Sequence, residues 1–285
     1  MDVVHTVQQA RRRLADLPRP VGFVPTMGAL HDGHRALVAA SRARDAATVA
    51  SVYVNPLQFG PGEDFDAYPR DLDGDLAVLE ADGVALTFTP GPSFTPAERR
   101  TEVVVTGPAG PLEGRARPGH FSGVATVVTQ LLGVVGPDRA YFGEKDYQQL
   151  QVVRALVEDL CLPVEIVACP TVREADGLAR SSRNAYLDAA QRLLARHVPA
   201  ALAAAVAGWD GDADAARDRM AAELDRPGIT VDYVEVADPV TLARCEGRVA
   251  GPARALVAAR IGGTRLIDNV ALAASEPTLR PRRTE

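Results

Sequence analysis

The order of apolar runs along the chain predicts an α/β protein, with a parallel sheet in its N-terminal part and a smaller α+β domain after it. Three observations predict this. Short apolar or β-branched runs alternate with segments of helical spacing as far as about Pro170, the pattern of βαβ units. Beyond that point two helical segments precede three strand-like runs. The last two of those runs are joined by Gly262-Gly263, a hairpin signal. A boundary is expected near residue 171, dividing the chain into 1–171 and 172–285.

Each element has its own warrant. Val21 to Pro25 reads as a buried strand, and Gly33 to Arg44 as a helix after a glycine-rich turn, with Leu37, Val38 and Ala40 at helical spacing. Thr48 to Val54 is β-branched and reads as the second strand. Asp71 to Ala81 reads as a helix, Val84 to Thr89 as a strand, and Val124 to Val135 as an apolar helix. Arg139 to Phe142 is a short strand, Tyr147 to Leu160 a helix, and Val164 to Ala168 a strand. In the second part, Ala189 to Ala207 and Asp212 to Asp225 read as helices, and Pro227-Gly228 breaks the chain. Thr230 to Val236, Ala253 to Ile261 and Thr264 to Val270 are the closing strands, and Pro277 to Glu285 a polar, frayed tail.

Composition narrows the function classes. Of 285 residues, 47% are hydrophobic and 24% charged, ordinary for a protein with a packed core. Lys and Arg number 31 against 37 Asp and Glu, a net charge of −6, which argues against a general nucleic-acid binder. Small anions need only a few local cations and stay open. Cys161, Cys169 and Cys245 form no CxxC pair, so neither a disulfide framework nor a zinc knuckle is expected, and a reducing interior fits best. Met1-Asp2-Val3-Val4-His5 does not open a signal peptide, and no apolar run reaches the roughly 18 residues of a membrane span. The expected location is the cytoplasm.

Four motifs carry chemistry. Pro25-Thr26-Met27-Gly28-Ala29-Leu30-His31-Asp32-Gly33-His34 lies between a predicted strand and a predicted helix, where unpaired N–H groups and a partial positive charge suit phosphate. His31 and His34 are three apart and share one face, so two imidazoles can donate to a triphosphate as pyrophosphate departs. Metal ligation and plain surface exposure are the competing readings of that pair, although no third and fourth metal ligand is evident. Val54-Asn55-Pro56-Leu57-Gln58-Phe59-Gly60 follows the second strand; Asn55 and Gln58 either bind a small polar substrate or serve turn chemistry. In the loop after it, Asp64 and Asp66 either help to hold Mg²⁺ or are simply solvated. Phe142-Gly143-Glu144-Lys145-Asp146-Tyr147-Gln148-Gln149 repeats the strand-to-helix junction, with Lys145 a compact cation for phosphate, Asp146 a candidate N-cap and Gln149 one turn on. Asp176-Gly177-Leu178-Ala179-Arg180-Ser181-Ser182-Arg183-Asn184 offers hydroxyls and guanidiniums that can grip a polyphosphate, or a plain helix-start loop. Arg117-Pro118-Gly119-His120-Phe121 precedes the apolar helix, where His120 caps or packs and no catalytic role is expected.

Taken together, and with Gly119-His120-Phe121-x-Gly123-Val124 added, these motifs resemble the pantothenate synthetase family in content and order over most of residues 20 to 190. The HxGH element alone is shared with the wider nucleotidylyltransferase-like superfamily; the set is specific. The resemblance implies a Rossmann-like N-terminal domain, a smaller lid domain and a homodimer. It implies attack of the pantoate carboxylate on the α-phosphate of ATP, loss of pyrophosphate, and attack of the β-alanine amine on the pantoyl adenylate. By matching position, Met27, Gly28, Ala29, Leu30, His31, Asp32, Gly33 and His34 would line the ATP site. His31, His34 and Lys145 would stabilise the phosphates during adenylation. Gln58 and Gln149 would hold pantoate or β-alanine. Gly143, Glu144, Lys145 and Asp146, then Arg180, Ser181, Ser182 and Arg183, would contact nucleotide, with Val172 at the adenine end. Mg²⁺ would be held mainly by ATP itself, as is usual for this ion. Departures from the family pattern are Arg180 for a frequent apolar residue, Asp32 for a frequent Glu and Leu57 for a frequent Thr. Asp71, Asp73 and Asp75 match a metal region only loosely, and no metal ligand is assigned. A nucleotidyltransferase with another acceptor and a non-catalytic nucleotide-binding scaffold are the rival readings. Gln58 and Gln149 speak against the first, and His34, Lys145 and Arg183 against the second.

Overall fold

A computed structural model describes residues 1–272; the tail expected to fray lies outside them. The chain forms two units. It builds the first over Met1–Ala175, enters the second for Asp176–Leu178, returns to the first for Ala179–Ala185, and continues in the second from Tyr186.

The first unit runs β1 (Asp2–Val4), α1 (Val7–Leu14), β2 (Val21–Thr26), α2 (Asp32–Arg42), β3 (Ala47–Val52), α3 (Leu72–Ala81) and β4 (Leu86–Phe88). After a long stretch with little regular structure come a single turn α4 (Glu113–Ala116), α5 (His120–Val135), β5 (Arg139–Gly143), α6 (Tyr147–Asp159) and β6 (Glu165–Cys169). Its six strands form one sheet in the order β1-β4-β3-β2-β5-β6, with every pairing parallel. The central strands are apolar on both faces because helices cover both: Phe23, Val24, Val49, Ala50, Leu86, Phe88 and Tyr141 are all buried. The N-terminal ends of β2 and β5 are braced by one carboxylate. Asp45 accepts from the Tyr141 hydroxyl at 2.5 Å, from Arg139 at 2.7 Å and from Ser41 at 3.1 Å.

The strand order creates the site. From β2 the chain passes through α2 to β3 on one side, then outward to β4, and only then crosses back to β5 on the other side of β2. Ligands in open parallel sheets bind at the carboxyl ends of the strands where the order reverses. Here that crevice lies between β2 and β5, and the turns after β3, β2 and β5 adjoin it.

β1, α1 and the single turn α4 were not expected. β1 has three residues, and in α1 the apolar positions Val7, Ala10 and Leu14, spaced for one helical face, are few among Gln and Arg. Its capping box is nevertheless present, Thr6 accepting from the Gln9 amide and the Gln9 side chain from Thr6. α5 starts at His120, four residues before its apolar run, after Gly119 in the left-handed conformation (φ 84°).

The second unit comprises α7 (Ala189–Ala195), α8 (His197–Ala207), α9 (Ala213–Leu224), β7 (Ile229–Ala237), β8 (Ala253–Ile261) and β9 (Thr264–Leu272). The strands form an antiparallel sheet in sequence order, with a bulge between Val231 and Tyr233 and the expected hairpin at Gly262-Gly263. One expected helix, Ala189 to Ala207, is two. Pro199 has no N–H and its ring would clash with the carbonyl four residues back, so the helix breaks at Arg196. Ala201 and Ala205 of α8 and Ala213 and Ala216 of α9 are fully buried in a core with Trp209, Met220, Val257 and Ile261.

Candidate functional site

All the site residues expected from the motifs fall in the first unit. The HxGH element forms the start of α2. His31 is the N-cap residue, in an extended conformation, and its Nδ1 accepts the Gly33 N–H at 3.1 Å. The His34 Nδ1 accepts the His31 N–H at 3.3 Å. The two imidazoles thus make a reciprocal capping box, a task usually performed by hydroxyl and carboxamide or carboxylate side chains. Their rings stack with centroids 4.1 Å apart.

This arrangement fixes the protons. A ring nitrogen that accepts from a backbone N–H carries no hydrogen, so in each neutral imidazole the proton sits on Nε2. Burial first, then the Lys145 and Arg180 charges, push the His31 pKa down to about 4. Burial, then the neighbouring His31, push that of His34 down to about 3. At neutral pH the pair therefore presents two uncharged N–H donors.

Lys145 and Arg180 bear on this pair, and Arg183 lies in the same segment as Arg180. Lys145, just past β5, lies 3.4 Å from the Asp146 carboxylate. Burial opposes charge on Asp146, but the Lys145 ammonium outweighs it and holds the carboxyl below the usual range. Arg180 bonds Asp32, the first residue of α2, at 2.5 and 3.1 Å. Arg183 makes two 2.9 Å bonds to Asp64, and Tyr68 reaches the Ser182 hydroxyl at 3.3 Å. The segment 179–185 is tied back by Arg180 N–H to the Val172 carbonyl at 2.9 Å. In this way Val172, Ser181, Ser182 and both arginines join the unit that holds the histidines.

The turn after β3 is anchored from α5. Asn55 is buried; it donates to Gln58 Oε1 at 3.0 Å and to the Gly123 carbonyl at 3.1 Å, and accepts from the Leu57 amide at 3.0 Å. Its turn chemistry and its support of Gln58 are therefore one arrangement. A Cβ on Gly123 would run into the Leu57 carbonyl, so only glycine lets α5 approach this turn. Gln149 is half-buried in the first turn of α6. Gln58 and Gln149 follow β3 and β5, the two neighbours of β2.

Two groups have a part in this region that the sequence did not indicate. His120 donates through Nδ1 to the Gln58 carbonyl at 2.8 Å and accepts from Arg117 at its other nitrogen at 3.2 Å. Arg117 adds a 3.2 Å bond to the same carbonyl and grips Glu63 at 2.6 and 2.7 Å. The signal was the run Arg117-Pro118-Gly119-His120, whose ring packs on Phe121 but also holds the Gln58 turn. The second is Asp75, which accepts from the Ala29 and Leu30 amides at 2.9 and 2.8 Å. Nothing in the sequence linked it to that turn. Among the described residues no group of three or more His, Cys, Asp or Glu is placed to hold a metal ion. A hard divalent cation fits this site only with most of its oxygen ligands from a bound polyphosphate and water. Among the described residues no helix is long and apolar enough to cross a membrane.

A family profile described as pantoate-beta-alanine ligase matches residues 2–271. The chain is 54% identical over 271 residues to a pantothenate synthetase of Mycolicibacterium smegmatis, covering 93% of this chain and 85% of that one. It is 50% identical over 280 residues to one of Herpetosiphon aurantiacus, covering 95% and 100%. The structure is similar to a crystal structure of pantothenate synthetase from Thermus thermophilus, with a TM-score of 0.89, 51% identity, and 95% and 99% of the two chains covered. It is also similar to a pantoate-beta-alanine ligase from Francisella tularensis complexed with beta-gamma ATP and beta-alanine, with a TM-score of 0.79, 30% identity, and 96% and 100% covered.

Proposed function

The chain belongs to the pantoate–β-alanine ligase family, and from that premise we propose how its residues divide the work. The protein joins pantoate to β-alanine with ATP as co-substrate, through a pantoyl adenylate, and releases AMP and pyrophosphate. A carboxylate oxygen is a poor leaving group and AMP a good one, which is the chemical reason for the detour.

In the first step a pantoate oxygen attacks the α-phosphorus and the bond to pyrophosphate breaks. Charge grows on the phosphoryl oxygens. His31 and His34 meet it with Nε2–H donors already in place, Lys145 with a full positive charge, and Arg180 and Arg183 with guanidiniums. Met27 to His34, Gly143 to Asp146, Val172 and Arg180 to Arg183 form the nucleotide site. Gln58 and Gln149 hold pantoate so that its carboxylate faces that phosphorus. In the second step the β-alanine amine attacks the acyl carbon and AMP leaves; the protein's task there is to keep water from the mixed anhydride. Mg²⁺ would be held mainly by the triphosphate oxygens and water, and would supply charge neutralisation there. The second unit acts as the lid and the enzyme works as a cytoplasmic homodimer, a reading supported by the family resemblance.

The observation that carries the assignment is the reciprocal His31–His34 cap, which leaves two neutral donors at the start of a helix beside Lys145. The test is AMP release from ATP and Mg²⁺, omitting pantoate and β-alanine in turn. AMP formation that requires both acids is expected. AMP released with neither acid, or none with all substrates present, would overturn the reading.

A further inference from the structure

Asp75 is a buried charge that the mechanism above does not use. It stands in the first turn of α3 and is 5% exposed. Its Oδ2 accepts the Ala29 N–H at 2.9 Å and its Oδ1 the Leu30 N–H at 2.8 Å. Those amides belong to the two residues between Gly28 and His31. The backbone there is left-handed twice, with φ 82° at Gly28 and φ 50° at Ala29. A non-glycine residue in that region is strained and stays there only where its surroundings hold it. The contact is tight: a Cβ on Gly28 would come within 2.7 Å of Asp75 Oδ2. Burial raises the Asp75 carboxyl above its ordinary range, while its two amide bonds pull the other way.

We propose that Asp75 is a positioning residue for the adenylation step: by gripping the Ala29 and Leu30 amides it sets the turn that delivers the His31–His34 pair. This rests on the reading of Met27 to His34 as the ATP site. It has a chemical corollary. A phosphate-binding turn ordinarily offers its backbone amides to the ligand. Here two of them are engaged by Asp75, so the phosphates are served chiefly by side-chain donors. Asp75 itself touches no substrate.

Asp75→Asn tests this in the full-length protein, because it keeps the side-chain volume but turns an NH₂ group toward one of the two amides. ATP KM is expected to rise about tenfold, the worth of one lost hydrogen bond to a charged group, with pantoate and β-alanine KM within about twofold of wild type. Hydrogen exchange in the 27–31 segment is expected to quicken by a similar factor while that of β2 and β3 stays unchanged. Asp75→Glu, which retains the carboxylate, should recover part of both effects, and it carries the test if the Asn variant does not fold. Three results would overturn the proposal: unchanged exchange in 27–31, a loss of active fraction with all KM values unchanged, or a raised Mg²⁺ requirement without faster exchange. Wild-type protein that makes no AMP would sink the ligase reading instead, and the exchange measurement would still decide whether Asp75 holds the turn.

Discussion

At the scale of the residue, the same two imidazoles both build the start of α2 and face the nucleotide in our reading. A substitution there has two effects that must be separated. We expect His34→Ala and Lys145→Ala each to lower kcat by roughly two to three orders of magnitude, measured by AMP release. His31→Asn should keep the helix cap, since Asn is a favoured N-cap, and still lose a comparable part of the activity. Near wild-type turnover in His31→Asn would mean that the imidazole matters only as a cap. HxGH and Lys145 were singled out as lying at strand-to-helix junctions, and the structure places both there, after β2 and after β5. What was not legible was which nitrogen carries the proton. That depends on the Gly33 and His31 amides, and so on the turn once folded. Asp75 and Arg117 were hidden for a related reason: their partners lie 46, 45 and 59 positions away along the chain.

At the scale of the element, α5 has two tasks. Its apolar faces fill the first unit's core, and its first turn holds the turn after β3. Gly123→Ala would force Cβ into the Leu57 carbonyl, a backbone group that cannot rotate away. We expect it to destabilise the fold by about 1–3 kcal/mol and to raise the KM for pantoate more than that for ATP. Denaturant midpoints and initial rates check both, and an unchanged pantoate KM would show that the turn tolerates the shift. Apart from β1, the strands of the sheet and the helices α2, α3, α5 and α6 were readable from period and β-branching alone. The failures were local. α1 is short, and its apolar face is only Val7, Ala10 and Leu14 among Gln and Arg, although Thr6 and Gln9 spelled its cap. The long alanine-rich helix was cut by Pro199, whose effect reaches four residues upstream of its own position.

At the scale of the whole molecule, three histidines are held neutral against solvent. His120 is 9% exposed, and burial, with Arg117 beside it, pushes its pKa down to about 4, as burial pushes His31 to about 4 and His34 to about 3. The folded pKa lies below the unfolded value near 6.5, so below that pH the unfolded chain binds more protons. Stability is therefore full above about pH 6.5 and falls as the pH drops toward 4. For His120 alone the loss by pH 5 is about 2 kcal/mol. Urea melts at pH 7 and pH 5 should show this decline, and His120→Gln should reduce it. A wild-type curve flat over that range would contradict the buried neutral histidines. The two-part organisation was legible as a change of texture after Pro170. The detour of the chain was not, because no composition shift marks Ala179–Ala185 as belonging with residues before it.

That detour bears on how such a protein can be rearranged. The segment carrying Arg180 and Arg183 lies between stretches of the second unit in sequence, yet it bonds Asp32 and Asp64 in the first. A hybrid spliced at residue 171 would take its histidines from one parent and their neighbouring arginines from another. A splice after residue 185 keeps the set together, so recombination between diverged relatives should leave working offspring mainly at the later junction.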